Sequence, residues 1–175
     1  TDAVMLSGES AVGQYPIESV SMMNNIIENV EIDKDNFNLK VEDLEELKKI
    51  NNTDIITDAI TDAVYSIAIN VDAKAIITFS VSGKTTMRMA RERAPVQIIG
   101  LSPHLHTSRK MQMIWGVNSC HSNKDAANTI EMVNIACTIA KNKNLVKSDD
   151  IVIITAGVPF GNSGSTNLLR IAKII

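Results

Sequence analysis

The sequence holds only two cysteines and one tryptophan, carries no excess of basic residues and has no apolar run of membrane-spanning length. Each shortage closes off a class of function. Cys120 and Cys137 lie within apolar patterns and show no CxxC or metal-ligand spacing, so they read as reduced core residues of a cytoplasmic protein rather than as a disulfide framework. No run reaches the roughly 18 residues of a bilayer span, and the opening TDAVMLSGES lacks a basic region followed by a long apolar stretch, so neither membrane insertion nor export is indicated. The formal net charge of −3, from 17 basic and 20 acidic residues, leaves no broad electropositive footprint for nucleic acid. Trp115 sits at a helix-to-strand corner, where it reads as a packing anchor. His104 and His106 lack an accompanying carboxylate or cysteine, and His121 is distant in sequence, so no metal site is read from them.

What is present is an ordinary globular composition, 45% hydrophobic and 21% charged, over 175 residues. The chain opens on an apolar strand-like run, Ala3 to Leu6, as a segment cut from a larger protein would. From Pro16 a helix is predicted, with Ile17, Val20, Met23, Ile27 and Val30 in phase. This βα pair, residues 1–30, cannot bury both faces of its strand and reads as one unit of a larger parallel sheet or barrel. Residues 31–52 turn polar and read as a linker, with Val41, Leu44 and Leu47 marking a small amphipathic helix.

Beyond residue 53 short apolar runs alternate with helical patterns, the signature of an α/β sheet. Thr53 or Asp54 is read as the cap of a helix whose apolar face is Ile56, Ile60, Val64, Ile67 and Val71. Strands are predicted at Ala75 to Phe79, Gln97 to Leu101, Val117 to Cys120, Ile151 to Thr155 and Asn167 to Ile175. Between them lie helices at Lys84 to Arg93, Thr107 to Ile114 and Lys124 to Lys141, the last with Ile130, Val133, Cys137 and Ala140 in phase.

Two loops follow strand ends. In Ser80-Val81-Ser82-Gly83-Lys84-Thr85-Thr86, helix-start N–H groups, the hydroxyls of Ser80, Ser82 and Thr85 and the Lys84 ammonium can converge on one phosphate. A plain cap and turn accounts for the same residues. A nucleotide-hydrolysing P-loop does not fit, because Thr78 stands where that motif needs glycine. The second loop runs from Ala156 to Asn167 and contains Gly161, Ser163, Gly164, Ser165 and Thr166. It leaves the same sheet edge, where ligands of open α/β sheets bind, although a glycine-rich surface connection would look alike.

The stretch Asp2-Ala3-Val4-Met5-Leu6-Ser7-Gly8-Glu9-Ser10-Ala11-Val12-Gly13-Gln14-Tyr15-Pro16 resembles the pyruvate kinase pattern DxxMLSGETAxGxYP, which carries the eighth strand and opens the eighth helix of that family's TIM barrel. Ser10 stands in place of the usual threonine. AKAIITFSVSGKT, APVQIIGL, WGV and SDDIVIITAGVPFGNSGSTNLLRI are similar, in order, to the family's carboxyl-terminal domain, in particular that of bacterial members.

The resemblance implies a three-layer α/β sandwich at residues 53–175, with five mostly parallel strands and an antiparallel last one. It implies an effector-binding and tetramer-forming domain of an enzyme that moves phosphate from phosphoenolpyruvate to ADP with magnesium and potassium. The segment itself is expected to bind neither ion and to be inactive, since most of the family's catalytic residues precede it. Ser7 and Glu9 fall on the barrel's active-site face, at its periphery. Ser80, Ser82, Gly83 and Thr85 match the effector phosphate loop, with Lys84 beside them, and Gly161 to Thr166 match the loop that closes the site. Val81 stands where fructose-bisphosphate-activated members have lysine, and Asp125 to Cys137 offers no Arg or Trp for a second phosphate, so a monophosphate effector is expected. The alternative is a free-standing sugar-phosphate or nucleotide-binding module with no kinase attached.

Overall fold

The structure, a computed structural model, describes residues 2–32, 55–123, 126–160 and 166–175. Beyond its first two residues the chain divides into two compact units, Ala3–Thr53 and Asp54–Ile175.

In the first unit, helix α1 (Gly8–Ala11) is followed by α2 (Pro16–Ile32). Proline opens α2 as its locked φ and missing N–H allow. None of the α2 residues is buried. Ala3 to Leu6 is not a strand, and Val4 and Met5 are exposed. A strand exists only through the ladder it shares with a neighbour, and among the described residues of this unit there is no second strand to supply one. The amphipathic helix expected around Val41 to Leu47 and the caps expected at Thr53 or Asp54 lie outside the described residues.

The second unit runs α3 (Ile55–Asn70), β1 (Ala75–Phe79), α4 (Lys84–Arg91), β2 (Gln97–Ser102), α5 (Leu105–Met111), β3 (Val117–His121), α6 (Thr129–Asn142), β4 (Ile151–Ala156) and β5 (Leu168–Lys173). The strands form one sheet in the order β3-β2-β1-β4-β5, parallel except for the antiparallel pair β4 and β5. Alternate side chains pack on opposite faces. Ala75, Ile77, Phe79, Ile99, Leu101, Val152 and Ile154 meet Met132, Ala136 and Ala140 of α6. On the other face Ile76, Ile98 and Ile153 meet Val64 and Ala68 of α3 and Met89 and Ala90 of α4. The six core isoleucines of β1, β2 and β4 are at most 1% exposed, and each contributes roughly 1.5 to 3 kcal/mol relative to exposure. The result is the three-layer α/β sandwich expected.

Two helices present a different face from the one their apolar residues predict. On α3 the buried residues are Thr57, Thr61, Val64 and Ala68, while Ile56 is 64% exposed. Threonine can take an inner position because its hydroxyl finds a partner nearby: Thr61 Oγ1 donates to the Thr57 carbonyl at 2.7 Å. On α6 the inner residues are Met132, Ala136 and Ala140, and Ile130 is 75% exposed. That helix begins at Thr129 rather than near Lys124, because Asn128 and Glu131 form a reciprocal cap. Asn128 Oδ1 accepts from the Glu131 N–H, and the Glu131 carboxylate accepts from the Ala127 N–H, both at 2.9 Å.

Candidate functional site

The sheet order places the site. From β1 the chain steps outward to β2 and β3, then returns to add β4 on the other side of β1. The loops after β1 and β4 therefore diverge from adjacent strand ends, which is the topological switch point where open α/β sheets bind ligands.

After β1, Ser80 is buried and its Oγ accepts the Gly83 N–H at 2.9 Å, closing a tight turn. Gly83 caps α4 with φ of 85°, a left-handed conformation costly for other residues, and a Cβ there would stand 3.3 Å from Met111 Cγ. Thr107 of α5 donates to the Val81 carbonyl at 3.0 Å and holds the crest of the turn. Beneath it, Thr78 Oγ1 and Thr86 Oγ1 share a 2.7 Å bond in the core. The loop is thus fixed from strand, helix and sheet, with Ser82 and Lys84 exposed at its lip. Residues 80–86 include no acidic side chain, and the first-turn N–H groups of α4 lack intrahelical partners.

After β4, Asn167 closes the base of the second loop. Its side chain accepts the Val158 N–H and donates to the Val158 carbonyl, each at 2.7 Å. The Val158–Pro159 peptide is cis. Gly161, Ser163, Gly164 and Ser165 lie outside the described residues, whereas Thr166 is described and buried.

The structure brings the two loops together at one point. Thr85 Oγ1 and Thr166 Oγ1 are 2.8 Å apart, and the Thr166 N–H donates to Thr57 Oγ1 at 3.2 Å. Of the first loop, Ser80 is committed to the turn, Gly83 to the cap and Thr85 to the cross-link. Ser82 and Lys84 face solvent beside the helix start. Thr57, Thr78 and Thr107, which support the site, carry no pattern in the sequence beyond being threonines at otherwise apolar helix or strand positions. Between Ala126–Thr129 and Val158–Phe160 lies a recess of about 500 Å³. Its described lining, Ala126 to Thr129 and Val158 to Phe160, includes no cationic side chain.

Ser7 and Glu9 belong to the first unit and are exposed. The Ser7 carbonyl accepts the N–H groups of Ser10 and Ala11 at 3.3 and 3.0 Å as α1 begins, and Glu9 lies in its first turn. Among the described residues no group of three His, Cys, Asp or Glu side chains could hold a metal, and no helix is long and apolar enough to cross a membrane. His121 Nε2 lies 3.1 Å from the Pro103 carbonyl. Trp115 stacks under the Arg93 guanidinium, 4.3 Å from the ring centroid. Burial raises the thiols of Cys120 and Cys137, with Lys143 partly offsetting this at Cys120.

Residues 58–172 match the family model for the pyruvate kinase alpha/beta domain. Pyruvate kinase of Geobacillus stearothermophilus is 41% identical over 177 aligned residues, covering 99% of this chain and 29% of that protein. Pyruvate kinase of Lactobacillus delbrueckii subsp. bulgaricus is 39% identical over 175, again 99% of this chain and 29% of the relative. The crystal structure of a pyruvate kinase from Cryptosporidium parvum superposes with a TM-score of 0.80 at 25% identity, covering all of this chain and 33% of that one. The chain spans about 30% of the length of the relatives it matches. With its fold, its switch-point loops and nearly its whole length matched in order, this chain belongs to the pyruvate kinase family and comprises that family's carboxyl-terminal α/β domain.

Proposed function

We propose that the α/β domain binds a phosphorylated small molecule at the loops after β1 and β4, and that it regulates a parent enzyme transferring phosphate from phosphoenolpyruvate to ADP. The observation that carries this reading is the Thr85–Thr166 hydrogen bond, which joins two strand-end loops over the start of α4. A phosphate placed there meets unpaired helix N–H groups, the Ser82 hydroxyl and the Lys84 ammonium, with no acidic residue in the loop to oppose it. The recess between Ala126–Thr129 and Val158–Phe160, with no cationic side chain in its described lining, supports a monophosphate whose remaining part lies there.

Magnesium and potassium serve the parent reaction. Among the described residues no group of three His, Cys, Asp or Glu side chains could hold a divalent ion, and both ions are assigned to parts of the parent enzyme other than this chain. Ser7 and Glu9 are kept at the periphery of the catalytic face, and the 175-residue chain alone is expected to show only background phosphoryl transfer in a coupled assay. We assign tetramer formation to this domain also, on the support of exposed Ile55, Ile56 and Ile69 of α3 and of Ile171 on the edge strand β5. The parent is placed in the cytoplasm, in keeping with its free cysteines.

The test is calorimetric titration with ribose 5-phosphate, glucose 6-phosphate, AMP and fructose 1,6-bisphosphate, repeated on Lys84→Ala. A charge-assisted hydrogen bond is worth roughly 1.5 to 3 kcal/mol, so the variant should bind a monophosphate about tenfold or more weakly. If none of the four binds the chain or a tetramer containing it, or if the variant binds unchanged, the loop is a structural cap and the reading is wrong.

A further inference from the structure

The inner face of α3 carries two buried threonines one turn apart, and they do different things. Thr61 turns its hydroxyl back onto its own helix, donating to the Thr57 carbonyl at 2.7 Å. Thr57, 2% exposed, offers its hydroxyl oxygen outside the helix, where it accepts the backbone N–H of Thr166 at 3.2 Å across 109 residues of sequence. Thr166 in turn shares the 2.8 Å bond with Thr85, in the first turn of α4. Three threonines on three separate segments are therefore linked from α3, through the backbone N–H and then the side chain of the residue that leads into β5, to the start of α4.

We infer that Thr57 is a positioning residue for the phosphate site: through Thr166 it sets where the Thr85 hydroxyl and the start of α4 stand relative to the loop after β4. The inference rests on the site reading above and extends it to a residue that does not touch the ligand. Valine would fill the space of Thr57 almost equally well, so what the substitution takes from this link is the acceptor of the Thr166 N–H. Without that acceptor the Thr166 backbone is free to shift, and the shared hydroxyl bond with Thr85 loses its fixed length. A ligand that needs both loops binds less tightly although none of its own contacts has been removed.

The control is built into the helix. Thr61→Val deletes a buried hydroxyl from the same face of α3 but leaves the line to Thr166 intact. The experiment titrates the 175-residue chain, as wild type, Thr57→Val, Thr57→Ser and Thr61→Val, with inorganic phosphate and with ribose 5-phosphate. In parallel it follows exchange of the Thr166 amide without ligand. Thr57→Val should weaken both probes by roughly three- to tenfold, the worth of one neutral hydrogen bond, and should speed Thr166 exchange. Thr57→Ser, which keeps the hydroxyl, should stay within about twofold of wild type, and Thr61→Val should bind as wild type even where it is less stable. Wild-type binding that Thr57→Val leaves unchanged, or that Thr61→Val weakens equally, overturns the positioning role while leaving the site reading standing. Failure of the wild type to bind either probe overturns the site reading, and the ligand role of Thr57 with it. If Thr57→Val does not fold, the wild type decides: saturating probe should slow Thr166 exchange by about fivefold or more, and no slowing overturns the inference.

Discussion

Thr78 of β1 and Thr86 of α4 share a hydroxyl–hydroxyl hydrogen bond of 2.7 Å with neither side chain exposed at all. The bond clamps the third residue of α4 to the sheet directly below the loop after β1. Thr86→Val should leave the Thr78 hydroxyl buried and unpaired, at a cost of about 1 to 3 kcal/mol. Removing both hydroxyls in Thr78→Val/Thr86→Val should recover a good part of that loss, because no polar group is then stranded. Urea unfolding of the two single variants and the double variant gives the coupling energy. Strictly additive losses would show that the two hydroxyls are not partners.

Much of the sheet was legible in the sequence, because fully buried parallel strands read as short β-branched runs bounded by turns, as AIITF and IVIIT do. The helix faces were less so. Counting apolar residues assigned Ile56 and Ile130 to the inside, but helices that approach a sheet closely favour the small Thr57, Ala68, Ala136 and Ala140 there. Ala3 to Leu6 has the composition of a strand, yet pairing depends on a neighbour that no local pattern guarantees. At the site, the glycine and hydroxyl content of both loops marked them, whereas the link through Thr57 joins residues 109 positions apart and has no local signature.

Gly100 on β2 faces Thr86 and Met111, and an added Cβ would stand 3.0 Å from Thr86 Cγ2 and 3.3 Å from Met111 Cε. Gly100→Ala should therefore push α4 and α5 outward and lose about 1 to 3 kcal/mol. The shift falls on the Thr78–Thr86 clamp, so affinity for ribose 5-phosphate should fall together with stability. A variant as stable as wild type would show that the helices yield without strain.

The two thiols give a pH dependence of known sign. Burial holds the folded-state pKa of Cys120 and Cys137 above that of the unfolded chain. Their contribution is therefore fully present below the unfolded value and is lost as pH rises through the folded one. At neutral pH the buried Cys120 should react slowly with a disulfide reagent until the chain unfolds, and the half-buried Cys137 should react faster than it. Replacing both by alanine should reduce the loss of stability on moving to alkaline pH, compared with wild type. Fast native labelling of Cys120 at neutral pH would contradict its buried, neutral state.

Exchange rates should separate the two units. Helix α2 buries none of its residues, while five of the six residues of β4 are buried and the strand is paired on both sides. In the 175-residue chain the amides of α2 should exchange at rates set by local opening, and those of β4 only by global unfolding. Equal protection of the two would show that α2 is covered by another molecule in solution.

Ser80 and Ser82 lie two residues apart in one loop, and the structure gives them separable tasks. Ser80 is 6% exposed, and its hydroxyl oxygen takes the Gly83 N–H at 2.9 Å, so it holds the turn from which α4 starts. Ser82 is exposed at the lip of the loop beside Lys84. Removing the first hydroxyl strands an N–H at the helix cap, which costs about 0.5 to 2 kcal/mol of stability. Removing the second exposes nothing and should leave stability within about 0.5 kcal/mol of wild type. Affinity should respond differently. On the proposed reading a phosphate above the start of α4 accepts from the Ser82 hydroxyl directly, so Ser82→Ala should weaken ribose 5-phosphate by about tenfold with no change in unfolding. Ser80→Ala should weaken the ligand only as far as the turn loosens, and lowering the temperature, which restores the turn, should narrow that loss. Urea unfolding and calorimetry on the two variants separate these outcomes. A destabilised Ser82→Ala that binds as wild type would exchange the two roles and remove Ser82 from the site.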